Sequence, residues 1–148
     1  MGNHQKIGNF TAAKLGDFTQ LNQYTFTHDL LPFGVEGKKF LKEDLALTGM
    51  EVSLNKMPPG AGMPFYHKHQ ENEELYLFIR GQGQFQVDGE TIEVAEGTAI
   101  RVAPGGVRAW RNHSREDVYY IVIQAKANTI KGPSISDGIV VKDEVRWA

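Results

Sequence analysis

Cysteine is absent from this chain, which excludes a disulfide framework, a zinc finger, a thiolate-ligated cluster and a cysteine nucleophile. Surplus positive charge is absent too. Sixteen Lys and Arg stand against eighteen Asp and Glu, a formal charge of −2, whereas broad binding to a phosphate backbone needs a basic surface. No run approaches the roughly 18 apolar residues of a membrane helix. Met1-Gly2-Asn3-His4-Gln5-Lys6 leads into no apolar h-region, and Lys6 stands where a myristoylation signal carries Ser or Thr. Neither a G-x-S-x-G elbow nor a P-loop is found. A cytoplasmic protein with no nucleic-acid or membrane partner is expected. What remains is a chain of 148 residues, 41% hydrophobic and 23% charged, enough for one domain with a real core. Its five histidines are the first candidates for soft chemistry.

The chain reads as a single domain in three stretches: an arm over 1–44, an all-β core over 45–126 and a tail over 127–148. Within the core, Leu45–Lys56 is expected as a strand ended by Met57-Pro58-Pro59-Gly60, because proline cannot donate to a ladder. Glu73–Arg80 follows, then Gln84–Val87, Thr91–Val94, Thr98–Ala103, Val107–Asn112 and Val118–Ala125. Asp88-Gly89 is a strong hairpin signal, since both residues tolerate the positive φ of a type I′ turn. Short strands with Gly-rich turns predict an antiparallel sandwich or barrel. Two strands are apolar on both faces. Tyr76 and Phe78 oppose Leu75, Leu77 and Ile79, while Tyr119, Ile121 and Ile123 oppose Tyr120 and Val122. The second faces need cover from the arm, the tail or another subunit, so a homodimer is expected.

The chemically loaded stretch is Tyr66-His67-Lys68-His69-Gln70-Glu71-Asn72-Glu73-Glu74. Residues i and i+2 of a strand share a side, so His67 and His69 can present two imidazoles to one point. Glu71, Glu73 and Glu74 are all near enough in sequence to complete a two-histidine, one-carboxylate set. Only Glu74 shares a face with Tyr76 and Phe78, and it looks inward if they do. By the same parity, Tyr76, Phe78 and Trp110 are expected to wall a pocket for a small organic ligand. Arg101, Arg108 and Arg111 are candidates to clamp an anionic group.

His67-Lys68-His69, Glu74 and Gly81 resemble the first motif of the cupin superfamily, G-x5-H-x-H-x3,4-E-x6-G. Gly62 stands one residue too near His67 for its opening glycine. Gly97 and Pro104-Gly105-Gly106-Val107-Arg108-Ala109-Trp110-Arg111-Asn112 are similar to the second, G-x5-P-x-G-x2-H-x3-N. The resemblance covers about residues 45–126 and implies a double-stranded β-helix, or jelly-roll, barrel. It also implies a metal site at His67, His69 and Glu74. The second-motif histidine, a usual fourth ligand, is expected to fall on Ala109, with His113 four residues later in a polar turn.

Two functions follow from that resemblance. One is a metal-dependent enzyme of dioxygenase, isomerase or decarboxylase type, acting on a small polar molecule inside the barrel. Iron, manganese, nickel, zinc or copper would each accept two imidazoles and a carboxylate. The other is a metal-free, non-catalytic module that binds a small ligand in the same barrel. A purely structural role, suggested by the two-faced strands, is a third and weaker reading.

Overall fold

The computed structural model describes the backbone of residues 3–148 and the side chains from residue 8 onward. Twelve strands follow in order: β1 Asn3–Ile7, β2 Phe10–Lys14, β3 Thr25–Phe26, β4 Val35–Glu36, β5 Lys38–Phe40, β6 Glu51–Met57, β7 Asn72–Arg80, β8 Gly83–Val87, β9 Glu90–Val94, β10 Ala99–Val102, β11 Arg108–Arg111 and β12 Val118–Lys126. A 3-10 turn at Phe18–Gln23 and one short helix, α1 at Lys42–Leu45, interrupt the arm. Among the described residues no helix is long and apolar enough to cross a membrane.

The strands form a five-stranded antiparallel sheet, ordered β10-β7-β12-β6-β5, and a three-stranded sheet, ordered β11-β8-β9. The segment between β6 and β7 lies along the free edge of β11, with bridges Gly62 to Arg111 and His67 to Arg108. The two sheets close on one aromatic core. Tyr76 and Phe78 of β7 and Tyr120 of β12 meet Phe85 of β8 and Trp110 of β11. The Phe85 and Trp110 rings stack at 7° with centroids 5.7 Å apart, and Trp110 Nε1 donates to the Tyr120 hydroxyl at 2.8 Å. Both polar handles are thus satisfied inside the core. Asp88 and Gly89 take φ values of 49° and 84° in the β8–β9 turn, as the hairpin signal requires.

Two expectations need correction. Leu45–Lys56 is not one strand. Leu45 ends α1, Ala46 caps it in the left-handed region at φ 55°, and β6 begins only at Glu51. The chain turns there because Leu45 and Leu47 go to a second cluster on the outside of the sheet. The stretch before residue 45 also supplies more than an arm, since β5 completes the large sheet beside β6.

That second cluster explains half of the two-faced pattern. Leu21 and Leu41, with Leu15, Phe18 and Tyr24 beside them, pack on the outer side of β6 and β12 at Val52, Leu54 and Ile121. Cover by the N-terminal stretch was one of the options expected. It stops short of Leu75, Leu77 and Ile79, whose side chains remain half-buried. The tail covers nothing of its own barrel: Ile139 is 90% and Trp147 91% exposed.

Candidate metal centre and ligand cavity

A cavity of about 970 Å³ opens on the inner face of β5, β6 and β12 and reaches the His67–His69 segment. It sits at the upper end of the roughly 300–1,000 Å³ usual for ligand sites. Phe26, Leu31, Phe33, Phe40, Met63 and Val122 are among its apolar lining residues. Lys38, Ser53, Asn55, His67, His69 and Glu74 are polar groups that reach it.

His67 and His69 come from an irregular stretch rather than a regular strand. It is held in place because His67 and Arg108 exchange backbone hydrogen bonds, at 3.2 and 3.0 Å, and His69 N donates to Pro104 O at 3.0 Å. Glu74 is brought to them by β7, whose alternation turns Glu74, Tyr76 and Phe78 inward. The Nε2 atoms of His67 and His69 lie 3.4 and 3.2 Å from Glu74 Oε1. Their rings stand nearly perpendicular, at 85°. Of the three acidic candidates, Glu74 is therefore the one that converges. Glu73 pairs instead with Arg101 at 2.9 Å, and Glu71 with Lys126 at 3.7 Å.

The same carboxylate oxygen accepts from the Tyr76 hydroxyl at 2.7 Å and from Arg108 Nη2 at 2.8 Å. Arg108 is fully buried, and its Nη1 donates to Gly106 O at 2.6 Å. Burial alone would push the Glu74 carboxyl up. The hydrogen bonds from His67 and Tyr76 and the charges of His69 and Arg108 outweigh it and hold the group down at about 2. Burial also pulls His69 below its usual value, against the attraction of Glu74 and with help from Arg108 and His67. Its neutral form, the one that ligates metals, is favoured. Burial and the Glu74 charge push the Tyr76 phenol up, so it stays a hydrogen-bond donor.

The expected fourth-ligand position also needs correction. In β11, Arg108 and Trp110 face inward while Ala109 is only half-buried, on the opposite side. Arg108 with Asn112 therefore fills the H-x3-N spacing, and the residue in the histidine's place is an arginine. Asn112 is structural: its side chain donates to Met57 O and Glu116 O at 3.0 and 2.7 Å and closes the following turn. His113 stands apart from the cluster, 3.6 Å from Glu93.

The expected pocket wall is likewise redrawn. Trp110 lines the cavity. Tyr76 and Phe78 face inward but lie in the closed aromatic core, Tyr76 being spent on holding Glu74. Arg101 lies on the outer side of edge strand β10, paired with Glu73 and with its side chain 64% exposed. It does not reach the cavity, because Ile100 and Val102 hold the inward positions. Arg111 is also outside, on Gln84. Lys38 had no signal, because β5 is only three residues long in a segment without periodicity; Ser53 and Asn55 lie within the expected strand, on the face of β6 opposite Val52 and Leu54.

The donor set suits a divalent metal. Ligand atoms of His67, His69 and Glu74 lie within 4.8 Å of one another, and two imidazoles with one carboxylate suit first-row ions. His67 Nδ1 is buried without a hydrogen-bond partner, an unmet capacity inside the site.

Taken together, sandwich and site define a small double-stranded β-helix barrel with a two-histidine, one-carboxylate cluster. A cupin-domain family model matches residues 53–124. A cupin protein from Bacteroides fragilis is 38% identical, over 79% of this chain and 97% of that one, with a TM-score of 0.68. The chain belongs to the cupin family. A Cupin 2 conserved barrel domain protein from Salinispora arenicola shares the fold at 18% identity, covering 61% of this chain and 75% of that one, with a TM-score of 0.55. A cupin-superfamily sugar phosphate isomerase from Silicibacter pomeroyi does so at 19% identity, over 62% and 60%, also at 0.55.

Proposed function

We propose that the chain binds a small organic molecule in its barrel cavity, beside a divalent metal held by His67, His69 and Glu74. The observation that carries this reading is the convergence of those three donors within 4.8 Å at the cavity wall. A metal so held would supply Lewis acidity or oxygen activation, with positions left open for a ligand. Arg108 and Tyr76 act through Glu74: they keep its carboxylate ionised and fix its direction. The aromatic and aliphatic walls exclude water and select a ligand with a largely apolar body. A sugar phosphate, the substrate class named for the Silicibacter pomeroyi protein, would leave most of its hydroxyls unpaired against such walls. A metal-dependent dioxygenase, isomerase or decarboxylase chemistry is the proposed activity class. Metal content of protein prepared without a histidine tag tests it, and His67→Ala is the control.

One observation favours the second reading, a metal-free binding module. The Arg108 guanidinium cannot be deprotonated, and it already neutralises the carboxylate that a metal would share. That reading calls for ligand-induced thermal stabilisation that is indifferent to chelator.

We also propose that two copies pair. The arm stops short of Leu75, Leu77 and Ile79, which stay half-buried, and Ile135, Ile139, Val140 and Trp147 extend from the same chain without burial. Tail and open face are complementary in character, and each finds its partner in a second copy. The cytoplasm remains the proposed localisation.

A further inference from the structure

Among the described residues Lys38 is the one lysine set into the inner face of the large sheet, and the chain is shaped to put it there. Gly37 turns the strand inward at φ 79°, and a Cβ at that position would meet Lys56 O at 2.3 Å. Only glycine fits such a close approach in the left-handed region. Lys38 then pairs with Asn55 in the β5–β6 ladder. Its Nζ donates to Asn55 Oδ1 at 2.8 Å and to Ser53 Oγ at 3.3 Å.

Those acceptors are themselves fixed. Ser53 and Asn55 are 2% and 3% exposed. The Asn55 amide donates to Ser53 O and Tyr120 O at 3.1 and 3.3 Å, which aims its oxygen at the lysine. An ammonium has three donors, and two of them are used here. Among the described residues, no carboxylate lies within ion-pairing distance of Lys38, whereas the neighbouring Lys56 has Asp117 at 3.8 Å. The Phe40 ring, 5.0 Å from Nζ, gives only partial compensation. A largely desolvated cation with one free donor, facing a cavity and lacking a counter-ion, is costly unless a ligand supplies the anion.

Resting on the reading of this cavity as a small-molecule site, we infer that Lys38 is its anion anchor and that the ligand is a carboxylate with a largely apolar body. The carboxylate takes the third donor of Lys38, and the body lies against Phe40, Met63 and Val122. Burial holds the amine down at about 8, partly offset by the attraction of Glu74 and Glu51, as expected of a lysine awaiting an anion.

The test compares acids with their uncharged amides on the full chain. Phenylacetate, cinnamate and octanoate, the matching amides, and inorganic phosphate are titrated by calorimetry and thermal shift. At least one carboxylate should bind about tenfold or more tighter than its amide, and Lys38→Met should remove that preference while Lys38→Arg keeps it. Phosphate, which has no apolar body, should give no saturable shift. Equal affinity for acid and amide, an unchanged preference in Lys38→Met, preferential binding of phosphate, or no binding of any carboxylate up to about 10 mM would each overturn the inference. Cobalt(II) titration of the same samples reads His67, His69 and Glu74 separately. Failure to take up cobalt counts against the metal reading, and the acid–amide comparison then decides on Lys38 by itself.

Discussion

Arg108 and Glu74 face each other 2.8 Å apart, both buried, at the point where the imidazoles of His67 and His69 converge. One comes from the small sheet and the other from the large one, so the pair joins the two halves of the sandwich beneath the candidate metal centre.

Breaking that pair from either side leaves a buried charge without its partner. Arg108→Met should destabilise the metal-free protein by about 3–5 kcal/mol. The double variant with Glu74→Gln should recover part of the loss, because it removes the stranded carboxylate. Urea denaturation of the four proteins measures the coupling; strictly additive losses would show that the contact carries none.

Arg108→His places an imidazole where the H-x3-N spacing calls for one. Metal affinity should rise by about tenfold or more over the wild-type chain, read by competition with a coloured chelator. An unchanged or lower affinity in a folded variant would mean that Arg108 does not occupy the fourth position.

Lys38 gives a stability signature with a definite sign. Its folded value of about 8 lies below the 10.5 of the free side chain, so between these pH values the unfolded chain binds more protons. Stability attributable to this residue therefore rises with pH across that window and is lowest below it. In the absence of ligand, Lys38→Met should be more stable than wild type at pH 7, by on the order of 2 kcal/mol, and the advantage should fade as pH approaches 10.5. Glu74, held at about 2, stays ionised throughout this range. A variant equally or less stable at pH 7 would contradict the desolvation of the amine.

For the assembly, light scattering coupled to size exclusion should give about twice the chain mass of 16.5 kDa. Replacing Ile139, Val140 and Trp147 together by Asp should return the monomer, with the barrel's melting temperature little changed. A wild-type monomer would refute the pairing.

The sequence made the strands of the large sheet legible because burial there obeys a period of two. Alternation put Glu74, Tyr76 and Phe78 on one face, which the structure turns inward, and the H-x-H spacing identified the histidine pair. The same rule, applied strictly to Ala99-Ile100-Arg101-Val102, would have set Arg101 outside. β11 was misread by one residue because Pro104-Gly105-Gly106 offers two glycines to count from. Its register is settled instead by pairing of Trp110 with Phe85, which no local pattern reveals. Lys38 was invisible because β5 is only three residues long and is defined by the ladder to β6.

Metal content of protein prepared without a histidine tag tests the central claim most directly. Elemental analysis should find close to one equivalent of a divalent first-row ion per chain, falling sharply in His67→Ala and His69→Ala. Less than about a tenth of an equivalent even after incubation with such ions, indifferent to His67→Ala, would contradict a metal centre at His67, His69 and Glu74.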